Sequence, residues 1–155
     1  MGQYHVPMNL DRKEYLDPHN CGDGLKLMEF GCGGSTMTAL AVLLSTSNGL
    51  GGGDLHTEDK TWVGRWAGDR IAIVGDYDEH SPHAGLYQKA MGGEDGWKDV
   101  SFDVMRVLAD DPYIAADMAK NTWMHGLWKE AGQELPSKVK QAMATQKKTK
   151  VKQPA

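Results

Sequence analysis

Cysteine is scarce. The 155 residues hold only Cys21 and Cys32, not spaced as C-x-x-C, so neither a disulfide framework nor a cysteine zinc site is expected, and both read as reduced, partly buried thiols. Long apolar runs are missing as well. The longest, Met37 to Leu44, is broken by Thr38 and falls far short of the roughly 18 residues that cross a bilayer, which excludes a membrane-spanning helix. The N-terminus lacks a basic segment followed by an apolar one, and Val6 stands where a myristoylation signal wants Ser or Thr. A cytoplasmic protein is the expectation. Acidic residues are absent from 135 onward, where six Lys stand, whereas residues 1–134 carry 11 basic and 21 acidic residues, a net −10. An acidic body with a basic tail argues against a uniformly basic nucleic-acid binder.

What is present suits one folded domain: 40% apolar and 25% charged residues, with 19 Gly. Gln3 to Leu10 alternates, and Asp11-Arg12 turns the chain into Lys13 to Leu16, which reads as a β-hairpin with Pro7 placing the first strand at a sheet edge. The spacing from Leu25 to Phe30 favours a short helix. Ser35 caps an apolar helix that Asn48-Gly49 stops. Residues 61–66 and 70–75 are β-patterned about the turn Ala67-Gly68-Asp69, a second hairpin. Residues 79–98 are a polar excursion. Helical periodicity begins at Asp99, and Asp111-Pro112 starts a helix running to about Gly132. A short helix from near Pro136 carries Val139, Ala142 and Met143, after which residues 146–155 lack apolar periodicity and read as disordered. The fold class is α+β, a small antiparallel sheet of two hairpins packed with helices: a body over 1–108, a helical extension over 109–145 and the basic tail.

Several segments invite chemistry. Leu27 to Ser35 is similar to the first motif of S-adenosylmethionine methyltransferases, but no second βα unit follows in the Gly-rich loop after it. The same glycines before a helix suggest an anion site, yet no Lys lies between Lys26 and Lys60 to complete a P-loop. Asp54-Leu55-His56 and Asp76-Tyr77-Asp78 each place two polar ligands at i and i+2, on one side of an extended chain. With Asp69, they form the ligand-binding candidates Asp54, His56, Asp69, Asp76 and Asp78, a set that suits Mg²⁺, Mn²⁺ or Ca²⁺. Ordinary turn and strand-end carboxylates account for the same pattern, so no metal and no cofactor is assigned. Trp123, Leu127 and Trp128 on the long helix, with Lys147 and Lys148 in the tail, are the partner-binding candidates. The tail has neither aromatics to stack on bases nor Arg to read them, which limits it to non-specific phosphate contacts.

Met1-Gly2-Gln3-Tyr4-His5, Ser47-Asn48-Gly49-x-Gly51-Gly52-Gly53-Asp54 and Gly64-Arg65-Trp66-Ala67-Gly68-Asp69-Arg70-Ile71-Ala72-Ile73-Val74-Gly75-Asp76-Tyr77 together resemble a family of small proteins of bacteria and their phages. The likeness covers residues 1–108 and implies a bacterial or phage origin, with no activity and no catalytic residue to carry over. The leading expectation is a cytoplasmic binding or regulatory protein that contacts a protein partner. A metal-dependent site at the Asp54, His56, Asp76 and Asp78 loops and a weak nucleic-acid contact through the Lys tail are the alternatives.

Overall fold

β1 (His5–Asn9) is buried from Val6 to Asn9, and the chain reverses after it because Asn9 folds its own turn. Its Oδ1 accepts the amides of Asp11 and Arg12 at 3.0 and 2.8 Å, an Asx turn that returns the chain as β2 (Glu14–Tyr15). The computed structural model describes residues 2–49 and 52–152. It has the α+β class that the sequence predicts.

β3 (Ile71–Gly75) lies antiparallel to β1 on its other side, with Val6 opposite Val74. β4 (Lys98–Asp99) joins β2 in parallel, so the sheet is mixed, in the order β3-β1-β2-β4. Only one of the two expected hairpins forms. Residues 61–66 make no strand; they turn back onto the end of a helix, α2 (Ser35–Leu44). The amides of Gly64 and Trp66 donate to the carbonyls of Val42 and Leu43 at 3.0 and 2.8 Å. Terminal helix carbonyls have no partner within the helix, and satisfying them outweighed the β pattern. Gly64 has φ +74, and a Cβ there would sit 2.5 Å from the Ser45 carbonyl oxygen, so the turn admits only glycine.

Pro7 is not on an edge strand, because β1 is flanked on both sides. Its carbonyl accepts from the Leu16 amide at 3.0 Å, and its missing N–H leaves that pair unreciprocated. The proline thereby ends the β1–β2 ladder instead of marking an edge.

Seven α-helices are described. α1 (Leu27–Gly31) and α2 precede β3, and α3 (Leu86–Met91) lies inside the polar excursion 79–98. α4 (Ser101–Leu108) carries its apolar stripe to the core. The expected long helix from Pro112 is two, α5 (Pro112–Lys120) and α6 (Thr122–Glu130). Asn121 divides them: its Oδ1 caps the Met124 amide at 3.0 Å and its Nδ2 donates to the Gly22 carbonyl at 3.0 Å.

α7 (Ser137–Lys152) runs through the tail read as disordered; Gln153 to Ala155 lie outside the described residues, as do Met1 and Gly51 of the quoted motifs. Val139, fully buried, and half-buried Ala142, Met143 and Gln146 seat its first turns. Once nucleated, a helix of Lys and Thr propagates at little cost, and lysines at a helix C-terminus meet the negative end of its dipole.

Two apolar clusters result. The larger joins Leu16, Leu43, Trp66 and Leu108 to Ala115, Met118, Met124, Trp128 and Val139, so the segment after residue 108 shares its core with the segment before it. The smaller lies over the sheet, where Val6, Met8, Tyr15 and Val74 meet Ala90 and Trp97.

Candidate functional site

Most polar residues of the long motif are engaged in holding the hairpin. Glu14 is 5% exposed and accepts from Arg65 Nε and Nη2 (3.0 and 2.7 Å) and from Trp66 Nε1 at 2.9 Å. Both carboxylate oxygens are thus occupied, and the hydrogen bonds to Glu14, aided by its charge, hold the Arg65 guanidinium even more firmly protonated than usual. Asp69 accepts from Asn9 Nδ2 at 2.9 Å and Arg12 Nε at 3.0 Å. Arg70 pairs with Asp11 at 2.8 Å.

The five candidate ligands do not converge. Asp76 Oδ1 accepts the Tyr4 amide at 2.9 Å, at the opposite end of β3 from Asp69. Asp78 accepts the amides of His80 and Ser81 at 3.2 and 2.9 Å and bonds the Ser81 hydroxyl. It closes a turn, and those bonds lower its carboxyl below the ordinary range. Asp54 and His56 lie elsewhere, both exposed, near Asp111, whose Oδ1 caps α5 at the Tyr113 amide (2.9 Å). Asp54 lines a cleft of about 330 Å³ between α2 and α5, beside Ser47, Asn48, Leu55, Val63 and Ile114. Among the described residues no group of three or more His, Cys, Asp and Glu could hold a metal ion.

The glycine segment resembling a cofactor or anion motif is also accounted for. Leu27–Gly31 is a helix, not the strand that such a motif follows. The N-terminus of α2 already holds an anion of the protein's own, Asp23, whose Oδ2 accepts from the Thr36 amide and hydroxyl, each at 2.7 Å. A Cβ on Gly34 would lie 2.6 Å from that carboxylate, so the glycine makes room for it.

Two features have no counterpart in the sequence reading. The first is a pair of half-buried carboxylates where the 3-10 turn Pro18–Cys21 meets the start of α4. Asn20 Nδ2 donates to Asp99 at 2.8 Å and to Asp17 at 3.5 Å. Asp17 caps the turn at the His19 amide (3.0 Å), and its own amide donates to buried Ser101 Oγ at 2.7 Å. Burial first, and the Asp99 charge second, push the Asp17 carboxyl up to about 6. Burial likewise raises Asp99 and the neighbouring Tyr15 hydroxyl.

The second is a groove of about 540 Å³ along the contact of α5 and α6 with α7, floored by Ala119 and Met143 and rimmed by Lys120, His125, Lys147 and Lys150. Gln146 Nε2 donates to the Ala116 carbonyl at 3.0 Å and fixes α7 there. No acidic residue lines the groove. Among the described residues, the ion pairs of lysine are those of Lys89, Lys138 and Lys140, so the three rim lysines are unpaired.

Of the partner-binding candidates, Lys147 and Lys148 are exposed on α7 and Lys147 is on the groove rim. Trp123 is 48% exposed and meets the His19 ring edge-on at 5.1 Å; Leu127 is half-buried. Trp128 must be withdrawn. It is fully buried, donates from Nε1 to the Asn20 carbonyl at 2.9 Å and packs edge-on against Phe102, because an i, i+4 stripe on α6 turns it inward. Comparison with known proteins leaves this geometry to speak alone: no family model matches the chain, and no curated protein or solved structure is significantly similar to it.

Proposed function

We propose that this is a binding protein whose ligand is the phosphodiester backbone of a nucleic acid, held in the groove between α5–α6 and α7. One observation carries the reading: Lys120, Lys147 and Lys150 rim a single groove, unpaired among the described residues, in a chain whose acidic residues all precede residue 135. Unpaired ammonium groups in a shared concavity favour a multivalent anion over a single counterion. The net −10 of residues 1–134 repels the same anion, so that field presents α7 toward it.

The ammonium groups are the donors. Thr145 and Thr149 give their hydroxyl protons to the carbonyls of Gln141 and Thr145. With no Arg or aromatic ring apart from His125 on the groove, contacts fall on phosphate and carry no base identity. Such binding is non-specific and strongly dependent on salt. A cytoplasmic setting belongs to this reading; no described helix is long and apolar enough to cross a membrane.

The test is fluorescence anisotropy with a labelled duplex of mixed sequence. Four phosphate contacts, from the three rim lysines and the exposed Lys148 of α7, should give a log–log salt slope of about −4. Replacing Lys120, Lys147 and Lys150 together by Gln should weaken binding at least about tenfold at low salt and flatten the slope to about −1. Melting temperature serves as the control for folding, since surface changes of this kind move stability by at most about 0.5 kcal/mol each. Absence of binding at low salt, or binding that the triple variant leaves unaltered, overturns the proposal. The exposed Trp123, with half-buried Leu127 one turn on, and a protein partner would then be the better reading.

A further inference from the structure

β3 is an outer strand of the sheet, and we infer that its free edge pairs with the same strand of a second copy, antiparallel about Ile73. The ladder with β1 fixes which backbone groups are free. The Leu10 amide donates to Arg70 O and the Asp76 amide to Tyr4 O, at 2.9 and 3.0 Å. Even-numbered residues of β3 therefore bond inward, and Ile71, Ile73 and Gly75 direct their N–H and C=O outward. Among the described residues, only the Gly75 carbonyl of that outward row has a partner, the Asp78 amide at 3.4 Å.

An open row of this kind is a template for another strand, and proteins that stay single usually blunt it with Lys, Pro or a bulge. Ile71–Gly75 reads IAIVG and has none of these. Charge selects the second copy and its direction. Antiparallel pairing about Ile73 sets Ile71 opposite Gly75 of the second copy and Arg70 opposite its Asp76, at both ends of the strand. Parallel pairing in register would set like charges together. Arg70 holds Asp11 through Nε and Nη2, yet its side chain is 76% exposed and its remaining terminal nitrogen is left for the Asp76 that faces it, whose Oδ1 takes the Tyr4 amide and whose other oxygen is open to that guanidinium. At the axis the two Ile73 side chains, each on a residue 42% exposed, meet directly across the strands.

The experiment is amide hydrogen exchange on the full chain over a range of protein concentrations, alongside sedimentation equilibrium. The expected result is a weak dimer in which protection of the Ile71 and Ile73 amides rises with the dimer fraction. Ile73→Lys should abolish dimerisation, because two ammonium groups would meet at the axis, while leaving the melting temperature of the dilute protein within a few degrees. Should that variant fold poorly, Asp76→Asn supplies the second arm, since it keeps an oxygen for the Tyr4 amide and withdraws only the charge, with dimer affinity expected to fall severalfold. A chain that stays monomeric at the highest concentration reached, or a dimer in which the Ile71 and Ile73 amides exchange as in the monomer, overturns the inference.

Discussion

Around β1 and β2 the charged side chains are bonded to protein, whereas Lys147, Lys148 and Lys150 of α7 face solvent, and the two regions are held by different forces. The hairpin region is tied by Glu14 to Arg65 and Trp66, by Asp69 to Asn9 and Arg12, and by Asp11 to Arg70. The helical layer is held by apolar burial, with Met118, Met124, Trp128 and Val139 all nearly inaccessible. Charge engaged in structure is unavailable to a ligand. Charge left over beside an apolar seam is free for one.

The largest expected effect tests the apolar side of that contrast. Trp128→Ala should destabilise the protein by about 3–5 kcal/mol, the usual range for emptying a buried Trp site. It also removes the edge-on Phe102 contact and the bond to Asn20 O, so urea unfolding should show a lower midpoint in one cooperative transition. A loss below about 1 kcal/mol would mean that α6 is merely docked on a core complete without it.

Next in size is the charged side. Glu14→Gln keeps the shape and one acceptor but withdraws the charge from Arg65, and hydrogen bonds to charged groups carry about 1.5–3 kcal/mol. A destabilisation of about 2 kcal/mol is expected. It should be nearly the same at low and high salt, because a buried pair is poorly screened. A salt-dependent loss would show the clamp to be solvated and would weaken the contrast between the regions.

Legibility in the sequence follows the same division. Local signals were readable: the turn at Asp11-Arg12, the Asp111-Pro112 start of α5 and the apolar face of α4 depend on neighbours a few residues away. Signals that needed a distant partner were not. Thr61 to Trp66 has a strand's composition, but the carbonyls of Val42 and Leu43 required its amides. Pro7 suggests an edge until its place at the end of the ladder is known, and Asn121 gave no sign of dividing a helix until Gly22 lay beside it. Among the candidate site residues, Asp69, Asp76 and Asp78 were visible as unusual, though what they bond is backbone, Asn9, Arg12 and Ser81. Lys147 was legible as part of a basic run; the groove was not, since Lys120 and His125 come from other helices.

The remaining expected effect appears only above about pH 4 and lies at the seam between the regions, where Asp17 and Asp99 share Asn20. Asp17 titrates at about 6 in the fold against an ordinary value of 3.8. Between those values the folded state holds a proton that the unfolded state has released, so stability from this group falls as pH rises from about 4 to about 6 and is level above that. Asp17→Asn mimics the protonated form and keeps an oxygen to accept the His19 amide. The variant should therefore melt higher than the parent at pH 7, with the advantage shrinking to nothing near pH 4, read from thermal melts across that range. An advantage that stayed constant with pH would locate the gain in packing. A variant less stable at pH 7 would show that the ionised carboxylate, like Glu14, is held by donors that repay its burial, and would extend the charge-bonded region across the seam into α4.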